Sequence, residues 1–287
     1  MDKPRINVET FGRIKPQTLN HILNVLKEFY GRLSPELKPE IVDLQVFAGR
    51  SLMLAHLASA SRSLEAVYAY DEAYIAMHEA WTGIPKIHVS TEDYGRLPGE
   101  VFDAALRHEA AHSVLHGTPE HYVVAVPASL AINFQRKGFT SEEIKLLAHL
   151  EASALKDLEA SKLLVSLGYV ADQAAFTLHN LEMGVEDRAA WKIASTSQKA
   201  STLYLAHMLK ALAASIPLLE TSYAPSIRAK RLEALSHLTP EARSRLESLE
   251  EALKKAEETG ETFQGKTIIL LEETLKTFQS NKAKNPS

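Results

Sequence analysis

Apolar residues recur at helical spacing between Thr18 and Leu33, at Leu19, Ile22, Leu23, Val25, Leu26 and Phe29. Ser34-Pro35-Glu36 ends that run, and from Glu40 to Phe47 the period falls to two. Val42, Leu44 and Val46 alternate there with Asp43 and Gln45, which predicts a strand. A helix is expected over 51–60, and short strands over 66–70 and 74–77 with Asp71-Glu72 between them. After the Gly83-Ile84-Pro85 break, Lys86 to Ser90 gives another strand. From Gly99 onward the pattern is helical, with helices expected near 99–116, 119–136, 141–167, 171–183, 185–215, 225–236, 240–257 and 266–280. Thr118-Pro119-Glu120 and Thr239-Pro240-Glu241 each pair a capping side chain with a proline in the first turn, and Thr140 with Glu143 forms a capping box. The pattern therefore predicts an α+β protein, predominantly helical, with a small mixed sheet in the first third and a helical body after it. Pro225 and small polar residues at 222–226 mark a boundary, giving a domain over 1–222 and a helical appendage over 223–287 whose Glu/Lys-rich helix faces solvent or a partner.

Composition narrows the chemistry. The 287 residues include no cysteine, so a thiolate nucleophile, a disulfide or a Cys-held metal is excluded, and any metal must be held by His, Asp or Glu. A hydrophobic share of 45% with 24% charged residues is that of a globular chain, and 32 basic against 36 acidic residues argue against a nucleic-acid partner. The first dozen residues lack the apolar run of a signal peptide. The most apolar stretch, 203–219, contains His207, Lys210 and Pro217 and is shorter than the roughly 20 residues a membrane span needs. A cytoplasmic protein without a membrane partner is expected. There is no glycine-rich phosphate loop and no serine nucleophile elbow.

One motif carries chemistry. His108-Glu109-Ala110-Ala111-His112 is an HExxH. Residues four apart share a helix face, so both imidazoles can reach one ion, and zinc accepts nitrogen ligands in a tetrahedral shell. Glu109 can then act as general base on a water held by that ion. Ala105, Ala110, Ala111, Val114 and Leu115 suit a buried helix, and Gly117 stops it. The bland alternative is a structural helix with spare histidines.

The run Leu106 to Gly117 resembles the active-site helix of zincin metallopeptidases, and its Leu115-His116 end is similar to the minimal zincins of the ImmA/IrrE type. The chain more closely resembles a mainly archaeal group of predicted metallopeptidases, through 78–89, Lys156-Asp157-Leu158-Glu159 and 209–213. The resemblance implies a zincin-like domain, Zn2+ as cofactor and hydrolysis of a peptide or protein substrate. It also implies a strand along the cleft that pairs with an extended peptide, for which Lys86 to Ser90 is the candidate.

No Gly-x-x-His follows the motif at the metzincin spacing, so a carboxylate on a later helix is expected as the third ligand. His116 lies ~12 Å along the axis from His108, too far to share its ion, and is expected to be a supporting or helix-end residue. At about 100° per residue from Ile144, the apolar positions of 141–167 cluster near 280°. Asp157 falls at about 220°, Glu151 at about 340° and Glu159 at about 60°. Asp157 is preferred, with Glu151 and then Glu159 as alternatives. Tyr122, Tyr94 and His121 are candidate oxyanion donors, while His78 and Trp81 are expected in a loop packed on the sheet. The expected function is zinc-dependent peptide hydrolysis with His108, His112 and Asp157 on the metal and Glu109 as base. The alternative is a non-catalytic helical regulatory or scaffold protein that keeps the zinc site, and a homo-oligomer is compatible with either.

Overall fold

The computed structural model describes residues 4–64 and 75–280, so the strand expected over 66–70 lies outside the described residues. The chain forms two compact units, one of 1–122 with 160–176 and the other of 123–159 with 177–287.

The first unit holds the sheet. β1 (Arg5–Phe11), β2 (Ile41–Phe47) and β4 (Lys86–Ser90) are parallel, and β3 (Ala76–Glu79) runs antiparallel to β4, in the order β1-β2-β4-β3. This is the mixed sheet that the pattern predicts, with β1 as an addition. Alternation divides each strand between two faces. Val42, Leu44, Val46, Ile87, Val89 and Ala76 pack on α1 (Pro16–Arg32) and α3 (Gly99–Leu115), meeting Ile22, Leu26, Phe29, Phe102 and Leu106. Val42, Leu44 and Val46 are wholly buried, and each contributes about 1.5–3 kcal/mol. The other face carries Glu9, Gln45, Phe47 and His88. α2 (Arg50–Leu64) lies over it, with Met53 and Leu57 against Phe47. Ala160 and Leu164 near the end of α5 (Ser141–Ser166), and Tyr169 just before α6 (Val170–Asn180), complete the main core.

The second unit is helical. Besides the first part of α5 it contains α4 (Ala128–Gln135), α7 (Val185–Ala194), α8 (Gln198–Ala213), α9 (Ala224–Ala234), α10 (Pro240–Glu258) and α11 (Phe263–Ser280). Two expected helices come out differently. Over 119–136 the chain makes a 3-10 turn at Pro119–His121 and then α4, because Pro127 restricts Val126 to extended backbone and becomes the residue that starts the helix. The helix expected over 185–215 breaks at Ser195-Thr196-Ser197. Ser195 and Thr196 donate their hydroxyls to the carbonyls of Lys192 and Ile193, and Ser197 caps α8 by accepting from the Ala200 N–H. The expected caps at Thr140 and Thr239 are made, whereas the Thr118 hydroxyl sits 2.9 Å from His121 Nδ1. The position 222 lies inside this unit, where Leu205, Leu209 and Leu212 share a core with Leu238, Leu246, Leu249 and Leu253. Among the described residues no helix is long and apolar enough to cross a membrane.

Candidate metal centre

The HExxH lies in the second half of α3, whose alanines bring the helix close to the sheet. Ala104, Ala110 and Ala111 are fully buried and Ala105 nearly so. Side-chain bonds fix the helix in place. Ser113 donates to the Ala110 carbonyl and accepts from the Tyr30 hydroxyl of α1 at 2.7 Å. Burial pushes the Tyr30 phenol far above its ordinary range, so it stays a donor. On the other side Arg107 donates to Asp172 of α6 at 2.5 Å. Burial raises that carboxyl's pKa, and the guanidinium opposes the rise. Gly117 ends the segment by close approach: a Cβ there would stand 2.5 Å from the Ser113 carbonyl oxygen and 2.9 Å from Pro85 Cγ.

His108 and His112 are both buried, and their Nε2 atoms lie 3.1 Å apart. Two nitrogens on one tetrahedral zinc at about 2.0–2.1 Å stand roughly 3.3 Å from each other, so the pair suits a single ion. Asp157 of α5 joins them. One ligand atom from each of His108, His112 and Asp157 lies within 4.8 Å of the others, and this is the converged group of three metal-ligating side chains among the described residues. Two imidazole nitrogens and a carboxylate oxygen are a donor set that zinc accepts.

The two alternative carboxylates are engaged elsewhere. Glu151 is fully buried in the second unit and accepts from the Thr274 hydroxyl at 2.5 Å. Glu159 pairs with Lys266 of α11 at 2.9 Å. Glu109 is half-buried beside His108 on the helix.

His116 is wholly buried, and its Nδ1 lies 3.0 Å from His112 Nδ1. If Nε2 of His112 binds metal, its proton resides on Nδ1 and is donated to His116, whose own proton is then on Nε2. His116 thus contacts His112, one turn away, at the end of the helix.

Other expectations change. β4 is an interior strand, hydrogen-bonded to β2 on one side and β3 on the other, so its backbone cannot take an incoming peptide. Among the described residues β3 is the edge strand next to it. His78 is on β3 rather than in a loop, nearly buried, with Nδ1 2.5 Å from the Tyr122 hydroxyl and its ring stacked 6.1 Å from that of His112. Trp81 lies against Tyr122, their ring centroids 5.1 Å apart. Tyr122 is therefore set beside the motif through His78. Tyr94 instead packs on His21 and on Phe102, six residues before His108 and so ~9 Å back along the helix. The sequence placed His78 near Gly83 but gave no sign of its pairing with Tyr122, 44 residues away. Compared with known protein families, curated proteins and solved structures, the chain matches none.

Proposed function

We propose that the protein is a zinc-dependent metallopeptidase. The observation that carries this reading is the convergence of His108, His112 and Asp157 on one point, beside a glutamate at the position where an HExxH helix supplies a base. Zinc bound there supplies a Lewis acid that polarises the scissile carbonyl and acidifies water. His108 and His112 hold it, with His116 fixing the tautomer of His112, and the Asp157 carboxylate offsets part of its charge. Glu109 takes the proton of the attacking water and delivers it to the leaving nitrogen. A C–O bond forms, the C–N bond breaks, and carboxylate and amine products leave. Tyr122, placed by His78, serves as hydrogen-bond donor to the developing oxyanion. The substrate chain pairs along β3 at the sheet edge.

The test compares wild type with Glu109→Gln on a broad peptide library while zinc content is measured. The reading expects about one zinc on the HExxH group in both proteins, with cleavage by wild type and at least a 100-fold loss in the variant. Zinc on that group in both with cleavage by neither identifies a non-catalytic zinc protein instead. Retention of that zinc in His108→Ala or His112→Ala places the site elsewhere.

A further inference from the structure

On the sheet face opposite α3, His88 stands in the middle of β4 at 1% exposure. Both of its ring nitrogens are buried, and neither has a hydrogen-bond partner among the described residues. A buried imidazole with neither nitrogen bonded to a protein group is rare, because each unmade bond costs on the order of 1–3 kcal/mol. Its surroundings are polar. Glu79 Oε1 of β3 lies 3.5 Å from His88 Nε2, and Glu79 is itself buried. Gln45, in register with His88 on β2, leaves Oε1 buried and unpartnered while its amide donates to Glu9 at 2.8 Å. His56 comes down from α2 with its ring 6.2 Å from that of His88, resting on Phe11 and Phe47 at 4.7 and 5.3 Å.

The 3.5 Å gap between His88 and Glu79 selects among possible occupants. It exceeds the ordinary 2.7–3.2 Å of an N–H···O bond. A bridging water, making two hydrogen bonds of about 2.8 Å at a tetrahedral angle, needs roughly 4.5 Å between its partners. A nitrogen and an oxygen on one tetrahedral zinc, at about 2.0–2.2 Å each, stand roughly 3.4 Å apart. We infer that His88 and Glu79 form the preset half of a second transition-metal site, separate from the HExxH group, and that His56 closes it from α2. The imidazoles of the HExxH pair stand 4.6 Å apart, centre to centre. His56 has to come from 6.2 Å toward that value, a side-chain rotation away from the phenylalanine rings. Burial, followed by the neighbouring His88, lowers the pKa of His56, against the opposing pull of Glu9 and Glu79. The inference does not depend on the peptidase reading, because it uses none of those residues.

The experiment strips the full-length protein with a chelator, reloads it with Zn2+ alone, and counts bound zinc while a chromophoric chelator reports each affinity. Wild type is expected to take two zinc ions, and His88→Ala and His56→Ala one each, with the weaker class of sites losing at least 10-fold in affinity. His108→Ala/His112→Ala is expected to keep the zinc that His88→Ala loses. If His88→Ala fails to fold by circular dichroism, His56→Ala decides, since that residue is only half-buried. Zinc uptake unchanged by both His56→Ala and His88→Ala overturns the inference, whatever the wild-type count. A single zinc lost in those two variants but kept without His108 and His112 sustains this site and sinks the HExxH site.

Discussion

Replacing Glu151 by glutamine asks what a carboxyl group costs inside a helical core. Glu151 has no exposed surface; one oxygen accepts from Thr274, and the other is buried with no hydrogen-bond partner among the described residues. Burial pushes its pKa from 4.5 up to about 8, against the opposing pull of the Thr274 hydroxyl. The folded protein thus holds this proton more tightly than the unfolded chain. The sign follows: stability is undiminished below pH 4.5 and declines as pH rises toward 8, where the loss levels off. At about 1.36 kcal/mol per unit, wild type gives up about 3 kcal/mol by pH 7 and about 5 kcal/mol above pH 8. Glutamine does not titrate. Its buried NH2 group lacks an acceptor and costs about 1–3 kcal/mol, but at every pH alike. The constant offset drops out when unfolding by urea is compared at pH 5, 7 and 8.5. The stability of Glu151→Gln relative to wild type is expected to climb by about 4 kcal/mol from pH 5 to 8.5. Any pH dependence of metal binding at the proposed sites is common to both proteins and cancels in the difference. A gap that stays flat within about 1 kcal/mol over that range would refute the reasoning, because it would mean Glu151 is ionised in the fold already at pH 5.

Three further outcomes are expected. His116→Ala should weaken zinc binding at the HExxH group by roughly 10–100-fold without abolishing it, since His112 loses the partner that fixes its ring; a metal-competition titration checks this. Gly117→Ala should destabilise the protein by about 1–3 kcal/mol in urea unfolding, because backbone at Ser113 and the ring of Pro85 occupy the space a methyl needs. Truncation after Ser222 removes Leu238, Leu246, Leu249, Leu253 and Leu270 from a core they share with Leu205 and Leu209. The shortened chain should bind a hydrophobic dye and lose its cooperative melt, whereas a clean melt would make 223–287 a true appendage.

The motif helix was legible because its signals agree: alanines for close packing, histidines one turn apart and a glycine at the stop. β2 and β4 were legible from β-branched and aliphatic residues at period two. β1 was missed. Its residues Arg5 to Phe11 are mostly exposed, so little hydrophobic alternation marks a strand held chiefly by its backbone ladder to β2. Serine and threonine hydroxyls at 195–197 outweighed helix periodicity by offering the backbone other partners. On α5 a helical wheel could rank Asp157 and Glu151 as margin residues. It could not show that Thr274, 123 residues further on, engages Glu151, because that depends on which helices pack together. The His88 and Glu79 pair was equally hidden: β3 and β4 join through a register that neither strand announces alone.

The continuity of α5 bears on how the chain is born. The boundary between the two units falls between Glu159 and Ala160, inside a 26-residue helix and about two turns before its end. The first unit is therefore interrupted in the order of synthesis. When residue 122 leaves the ribosome its sheet and motif helix are present, but Ala160, Leu164 and Tyr169, which finish its core, are not. At 5–20 residues per second the wait to residue 176 is on the order of 3–10 s. During that interval the apolar surface that those residues later cover is open to solvent, and the segment 123–159 emerges before the rest of its own unit. A nascent chain arrested near residue 140 is thus a natural client for a chaperone, and one arrested well past residue 176 has a first unit able to close.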